Sequence, residues 1–162
     1  MNEVTTRMVV NGTPRELTVP TQELLLDTLR ERLGLTGAKR SCDVQVCGTC
    51  TVLVDGEPVS SCTFLTCDAD GRDVLTIEGF AESPEFAEFE RAFVDRAALQ
   101  CGFCTPGFVL TLKALRDAGE LRGREDVING LDGNLCRCTG YKSIVEAGEA
   151  LVGAPDRPEV GR

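Results

Sequence analysis

Eight of the chain's nine cysteines stand in two quartets of unlike spacing, and nothing else in the sequence restricts its fold and chemistry so strongly. The first quartet is Cys42, Cys47, Cys50 and Cys62, in CDVQVCGTC and SSCT. The second is Cys101, Cys104, Cys136 and Cys138, in CGFCTPG and LCRCTGY. Two four-thiol sites in a chain of 162 residues imply two metal centres. Histidine is absent, so sulfur supplies nearly all the soft-metal ligation, and the candidates narrow to iron–sulfur clusters or structural zinc.

A hydrophobic content of 42% is ordinary for a folded protein of this length. The longest apolar runs, LLL at Leu24 to Leu26 and FVLTL from Phe108, are too short to span a bilayer. The start, MNEVTTRMVV, lacks the basic and apolar regions of a signal peptide. A cytoplasmic location follows, and in a reducing compartment paired cysteines point to metal rather than to disulfides. The formal charge of −9 argues against nucleic acid as a partner, which needs a cationic surface.

The pattern changes character near residue 80. Before it, Met8 to Val10 and Leu17 to Val19 flank Asn11-Gly12, a hairpin signal, because both residues tolerate the positive φ of a tight turn. In TQELLLDTLRERLG, Leu25, Leu26, Leu29 and Leu33 recur at helical spacing, with Thr21 placed to cap the start and Gly34 to close the end. TVLVDGEPVS reads as a second hairpin turning at Asp55-Gly56, and DVLTIEG from Asp73 as a last strand. After residue 80 helical periodicity takes over. Phe86, Phe89, Phe93 and Ala97 form a stripe behind Ser83-Pro84, and Phe108, Leu112 and Leu115 another behind Thr105-Pro106. An element at Val127 to Leu131 and a last helix with Ile144, Ala147, Gly148 and Leu151 make four helices. The fold class is therefore α+β. The tail GAPDRPEVGR reads as disordered, and no internal repeat is present.

Four residues between Cys42 and Cys47, then two between Cys47 and Cys50, are the spacing of plant-type 2Fe-2S ferredoxins. Gly48 lets the backbone approach a cluster closely. A zinc knuckle would favour two-to-four-residue pairs on both sides. The fourth ligand has two candidates, Cys62 and Cys67, and spacing does not choose between them. In the second quartet, Cys101 and Cys104 precede the Thr105-Pro106 helix start, while Cys136 and Cys138 precede the start of the last helix. Helix N-termini lower thiolate pKa values and stabilise an anionic cluster. Zinc could use the same geometry, though the single residue Arg137 between Cys136 and Cys138 suits it less well.

CDVQVCGTCTVLVDG, SSCT, TIEGF, LQCGFCTPG and GNLCRCTGY, in this order, resemble the iron–sulfur subunit or domain of the molybdenum hydroxylases, the xanthine dehydrogenase and aldehyde oxidoreductase family. The resemblance covers nearly the whole chain. It implies an N-terminal β-grasp, ferredoxin-like domain over residues 1–79, a helical four-helix bundle over 80–152, and one 2Fe-2S cluster in each. It also implies Cys62 as the fourth ligand of the first cluster, leaving Cys67 outside the pattern. Ser41 and Gln45 depart from it where glycine is usual. As a separate chain the protein is most similar to the small subunits of three-subunit bacterial enzymes, such as aerobic carbon monoxide dehydrogenase and relatives that oxidise aldehydes or N-heteroaromatics. The implied role is electron relay. Electrons would come from a molybdenum–pterin cofactor (molybdopterin) on a large subunit and pass through the C-terminal and then the N-terminal cluster to FAD on a medium subunit, in a dimer of heterotrimers. Gln100 and Cys138 match the family residues that approach the pterin.

The chain has no GxGxxG turn for FAD or nicotinamide, and no acid–base set for substrate chemistry. Glu85, Glu88 and Glu90 follow a helix face that reads as solvated. Substrate oxidation must occur elsewhere, and a second centre that hands electrons to another chain should lie at an interface, with Phe103 and Phe108 as contact candidates or as core. A free-standing two-cluster ferredoxin and a zinc-stabilised interaction module are the other function classes.

Overall fold

The structure, a computed structural model, describes residues 2–152. Strands β1 (Glu3–Val10) and β2 (Thr13–Pro20) pair antiparallel, with Val10 opposite Thr13. Asn11 and Gly12 between them have φ of 51° and 73°, the consecutive positive values of a type I′ turn. The same device joins β3 (Thr51–Val54) to β4 (Glu57–Ser60), where Asp55 and Gly56 have φ of 51° and 86°. Strand β5 (Asp73–Leu75) runs parallel to β1 and antiparallel to β3, so the sheet order is β2-β1-β5-β3-β4.

All four residues of β3 are buried, because the sheet is covered on both faces. Val52 and Val54 point to one side, into a core with Leu25, Leu26 and Leu29. Leu53 points to the other, among Phe80, Phe89 and Phe108. The two-residue period of a strand thus lets β3 serve two cores at once.

Leu25, Leu26 and Leu29 of the stripe are buried as their spacing predicts, with Leu33 half-buried, but the backbone departs from a simple helix. Only α1 (Leu25–Asp27) is α-helical, and Thr28–Arg32 continue as a π-helical turn. Thr21 does not cap it. The helix begins after Leu24 without a side-chain cap, and the first N–H groups, of Leu25 and Leu26, reach instead to Phe64 O at 2.8 Å and Ser61 O at 3.0 Å. Gly34, at φ 70°, closes the turn as expected. DVLTIEG also divides: the strand stops at Leu75 and α2 (Ile77–Ala81) follows. Thr76 makes the break, since its N–H donates to Asn11 Oδ1 at 2.9 Å and its hydroxyl to Glu78 Oε2 at 2.7 Å.

Beyond it come α3 (Phe86–Asp95), α4 (Thr105–Asp117), α5 (Arg124–Gly130) and α6 (Lys142–Ala150). Helix α3 ends before Ala97, which sits at φ 48° and leaves the stripe. Phe89, Phe108, Leu112, Val127, Ile144 and Leu151 supply one shared core. Helix α6 packs on α3 and α5, while α4 packs on α5 and on the sheet. Glu85 and Glu88 are not simply solvated. Arg116 bonds Glu85 at 2.5 Å and Glu88 at 2.7 Å, and buried Lys113 bonds Glu85 at 3.1 Å, clamping α4 to the start of α3. No helix among the described residues is long and apolar enough to cross a membrane. The tail, residues 153–162, lies outside the described residues.

Candidate metal centres

The loop carrying Cys42, Cys47 and Cys50 lies between α1 and β3, and Cys62 follows β4. Three residues of the loop, Asp43, Gln45 and Gly48, have φ of 55°, 59° and 66°. These left-handed kinks turn successive N–H groups inward. Val46 N–H lies 3.4 Å from Cys42 Sγ. With the N–H of Val44 as the largest influence and Val46 next, the Cys42 thiol is lowered to about 6. Such N–H groups stabilise anionic sulfur whatever metal it holds. Thr49 Oγ1 stands 3.2 Å from Cys47 Sγ. Cys50 and Cys62 are buried side by side, and burial pushes Cys50 up to about 11. Ser61 donates to Cys50 O at 2.6 Å, tying the segment of Cys62 to that of Cys50. Cys67 joins neither set: it lies in a 3-10 turn, Thr66–Ala69, with its Sγ 3.7 Å from Thr21 O.

In the second set, Cys104 is the N-cap of α4, as the sequence predicts for that pair. Its thiol is nevertheless pushed up to about 12, chiefly by burial and then by the neighbouring Cys136. Cys136 and Cys138 do not begin α6. That helix starts at Lys142, after Gly140 and Tyr141 with φ of 66° and 70°. A local donor replaces the helix end: Thr139 Oγ1 donates to Cys136 Sγ at 3.1 Å, while Tyr141 Oη accepts the Cys136 N–H at 3.1 Å and fixes its backbone. Burial would raise Cys136, but the Thr139 hydroxyl and nearby N–H groups leave it lowered. Cys101 is lowered chiefly by the Phe103 N–H, whereas Cys138 is raised chiefly by its contact with Cys101.

The thiols meet in pairs. Cys101 and Cys138 have their sulfurs 3.6 Å apart, Cys104 adjoins Cys136, Cys50 adjoins Cys62, and Cys42 adjoins Cys47. Among the described residues no three donors converge closely enough to hold a single ion. One tetrahedral zinc would draw four sulfurs to about 2.3 Å of one point. Two pairs of sulfurs instead suit a 2Fe-2S cluster, which takes two protein ligands at each of its two irons. The residues therefore fit that group, and fit zinc poorly.

The two sets share one junction. A cavity of about 710 Å³ is lined by Cys42 and Cys47 on one side and by Cys101, Cys104, Cys136 and Cys138 on the other. Leu135 N–H donates to Cys47 O at 2.9 Å, so the residue before Cys136 is bonded directly to a cysteine of the loop set. Gly48 is needed for this approach as well as for the loop, since a Cβ there would lie 2.4 Å from Asn134 Nδ2. Opposite it, a Cβ on Gly107 would lie 2.1 Å from Gly48 O. Sequence reasoning placed Gly48 against a cluster but missed Gly107 and Asn134, whose only signal was the quoted TPG and GNL strings.

Exposure differs between the sets. Cys47, Cys50 and Cys62 are buried, whereas Cys101 and Cys138 are exposed, so the chain alone does not bury its second site. Around that site Leu99 is 42%, Phe103 43% and Leu135 49% exposed, while Phe108 is core. Gln100 is exposed, in the loop just before Cys101. Beside the loop set, Val44 and Val46 are exposed too.

Fold and thiol geometry together define an iron–sulfur protein with two centres. Residues 8–76 match the family model of a 2Fe-2S iron-sulfur cluster binding domain, and residues 76–149 that of a second 2Fe-2S binding domain. The nicotinate dehydrogenase small FeS subunit of Eubacterium barkeri is 42% identical over 89% of this chain and 92% of its own. The solved quinoline 2-oxidoreductase of Pseudomonas putida 86 superposes with a TM-score of 0.86 at 38% identity, covering 92% of this chain and 93% of that one. Aldehyde oxidoreductase from Desulfovibrio gigas superposes with a TM-score of 0.84 at 40% identity over 91% of this chain, but over only 17% of its own longer chain. The chain belongs to the small iron–sulfur subunits of the molybdenum hydroxylases, the xanthine dehydrogenase and aldehyde oxidoreductase family, and is the iron–sulfur subunit of an oxidoreductase.

Proposed function

We propose that this chain carries electrons from a molybdenum–pterin cofactor on a large subunit to FAD on a medium subunit. The observation that carries the reading is the junction: the two four-cysteine sites line one shared cavity and are joined by the Leu135–Cys47 hydrogen bond, with one site open to solvent. Cys42, Cys47, Cys50 and Cys62 hold one 2Fe-2S cluster, and Cys101, Cys104, Cys136 and Cys138 the other. When bound, each cluster supplies a site that takes up and gives back one electron.

The helix-borne set faces the molybdenum subunit. Its exposed Cys101 and Cys138, ringed by apolar Leu99, Phe103 and Leu135, are what a partner would cover. Gln100 and Cys138 meet the pterin there. The loop-borne set faces the flavin subunit, across Val44 and Val46. We classify the halves, residues 1–79 and 80–152, as a β-grasp domain and a four-helix bundle. The assembly is a cytoplasmic dimer of heterotrimers, and the names of the relatives favour an N-heteroaromatic or aldehyde substrate.

The test is gentle purification from the native host through a tag on this chain. The reading expects a brown complex with about four irons per chain, bleached by dithionite, and molybdenum and flavin in the same peak. A brown chain that comes down without molybdenum or flavin would be a free-standing ferredoxin. A colourless chain with two zincs would be an interaction module.

A further inference from the structure

Lys39 stands where the two cysteine sets meet. Its backbone is laced to Thr49: Lys39 N–H donates to Thr49 O at 3.0 Å, and Thr49 Oγ1 donates to Lys39 O at 3.0 Å. The same hydroxyl lies 3.2 Å from Cys47 Sγ. Lys39 Nζ donates to Gly37 O at 2.8 Å, two residues back in its own half, and sits 5.8 Å from the centre of the Phe103 ring in the other half. Phe103 lies between Cys101 and Cys104 in the chain, so the ammonium is seated on the loop that carries half of the helix-borne set.

This cation is half-buried and, among the described residues, forms no ion pair with a carboxylate. Glu78 is the acidic group facing it, yet its two oxygens are taken by Gly37 N–H at 2.8 Å and Thr76 Oγ1 at 2.7 Å. Burial pulls the Lys39 amine down first, and Arg30 repels it. Glu78 and Cys104 act the other way.

We propose that Lys39 is a positioning residue for electron transfer, a fixed cation that raises the reduction potential of the helix-borne cluster relative to the loop-borne one. This rests on the electron-relay reading above. Four thiolates give each cluster a net negative charge that grows by one on reduction, so a neighbouring cation stabilises the reduced form more than the oxidised form. One electron arrives from the partner's cofactor and reduces the helix-borne cluster. The same electron leaves to reduce the loop-borne cluster and reoxidises the first; no bond is made or broken and no proton moves.

The test is a redox titration of the purified complex followed by electron paramagnetic resonance, which reads the two reduced clusters as separate signals. With Lys39→Gln, the ratio of reduced to oxidised helix-borne cluster at fixed poise should fall several-fold and up to about tenfold, equivalent to about 59 mV for one electron. The loop-borne signal should move less, and Lys39→Arg should restore most of the loss. Glu78→Gln removes the opposing charge and should shift the same signal upward. An unchanged helix-borne midpoint, or an equal fall in both midpoints, overturns the proposal. If Lys39→Gln loads no clusters, Glu78→Gln decides alone: an upward shift supports the proposal and no shift overturns it. Failure of the relay reading looks different: the purified chain would then show both signals but carry no molybdenum or flavin, or, with zinc in place of the clusters, show neither signal.

Discussion

Gln45 holds a backbone conformation that its side chain does not favour. At φ 59° it lies in the left-handed region, where a Cβ crowds the following carbonyl and costs about 1–2 kcal/mol. The loop accepts this because the kink turns the Val46 N–H toward Cys42 Sγ, 3.4 Å away. Glycine, which the family resemblance leads one to expect here, adopts the same angle without that cost. The Gln45 side chain accepts a hydrogen bond from Thr63 Oγ1 at 3.2 Å, on the surface. Gln45→Gly should therefore stabilise the metal-loaded protein by about 0.5–1 kcal/mol, the strain relieved being partly offset by the freer unfolded chain. Thermal unfolding checks it, and a lower midpoint would show that the surface bond outweighs the strain. The sequence marks the position as unusual; only the backbone angle says why.

Elements were legible where one or two adjacent residues decide them. Asn11-Gly12 and Asp55-Gly56 form hairpin turns because their positive φ is a local property. The leucine stripe is mostly buried, as its period demands, but its π-helical turn and missing cap depend on carbonyls of Ser61 and Phe64, far along the chain. The end of β5 is hidden for the same reason, since Asn11 holds Thr76. Glu85 is the sharpest case. Periodicity put it on a solvated face, whereas it clamps α3 to α4 through Arg116 and Lys113. Burial pushes its carboxyl upward, but those two cations outweigh that and leave it below its ordinary value of 4.5. A carboxylate depressed in the folded state contributes its stability in full above the unfolded value and loses it as pH falls through the folded one. Glu85→Gln should thus cost about 1–2 kcal/mol at neutral pH, less than a fully buried pair because Glu85 is partly solvated. Denaturant titrations of both proteins should converge as the pH falls below 4.5, and a gap that persists in acid would assign the loss to packing.

At the scale of the molecule, spacing separates two thiol quartets but cannot say that they share a junction. That closeness is a tertiary fact, made by α4 packing on β3 and by the Asn134–Leu135 segment lying over the Cys47–Gly48 backbone. The two halves therefore meet through main chain, where neither side can rotate away. A Cβ at Gly107 would meet Gly48 O at 2.1 Å, and relief requires α4 or the cysteine loop to shift as a whole. Overpacking of this kind costs about 1–3 kcal/mol. The loss falls on one identifiable bond, Leu135 N–H to Cys47 O. Amide exchange at Leu135 reports its opening directly, since a local opening free energy lowered by about 1.4 kcal/mol speeds exchange tenfold. Gly107→Ala should accelerate Leu135 exchange by about fivefold to a hundredfold while leaving β1 and β2, which do not touch the junction, as protected as before. Uniform acceleration across all strands would mean that the substitution destabilises the whole fold, and unchanged exchange at Leu135 would mean that the halves are held together elsewhere, through Leu53 and the shared face of β3.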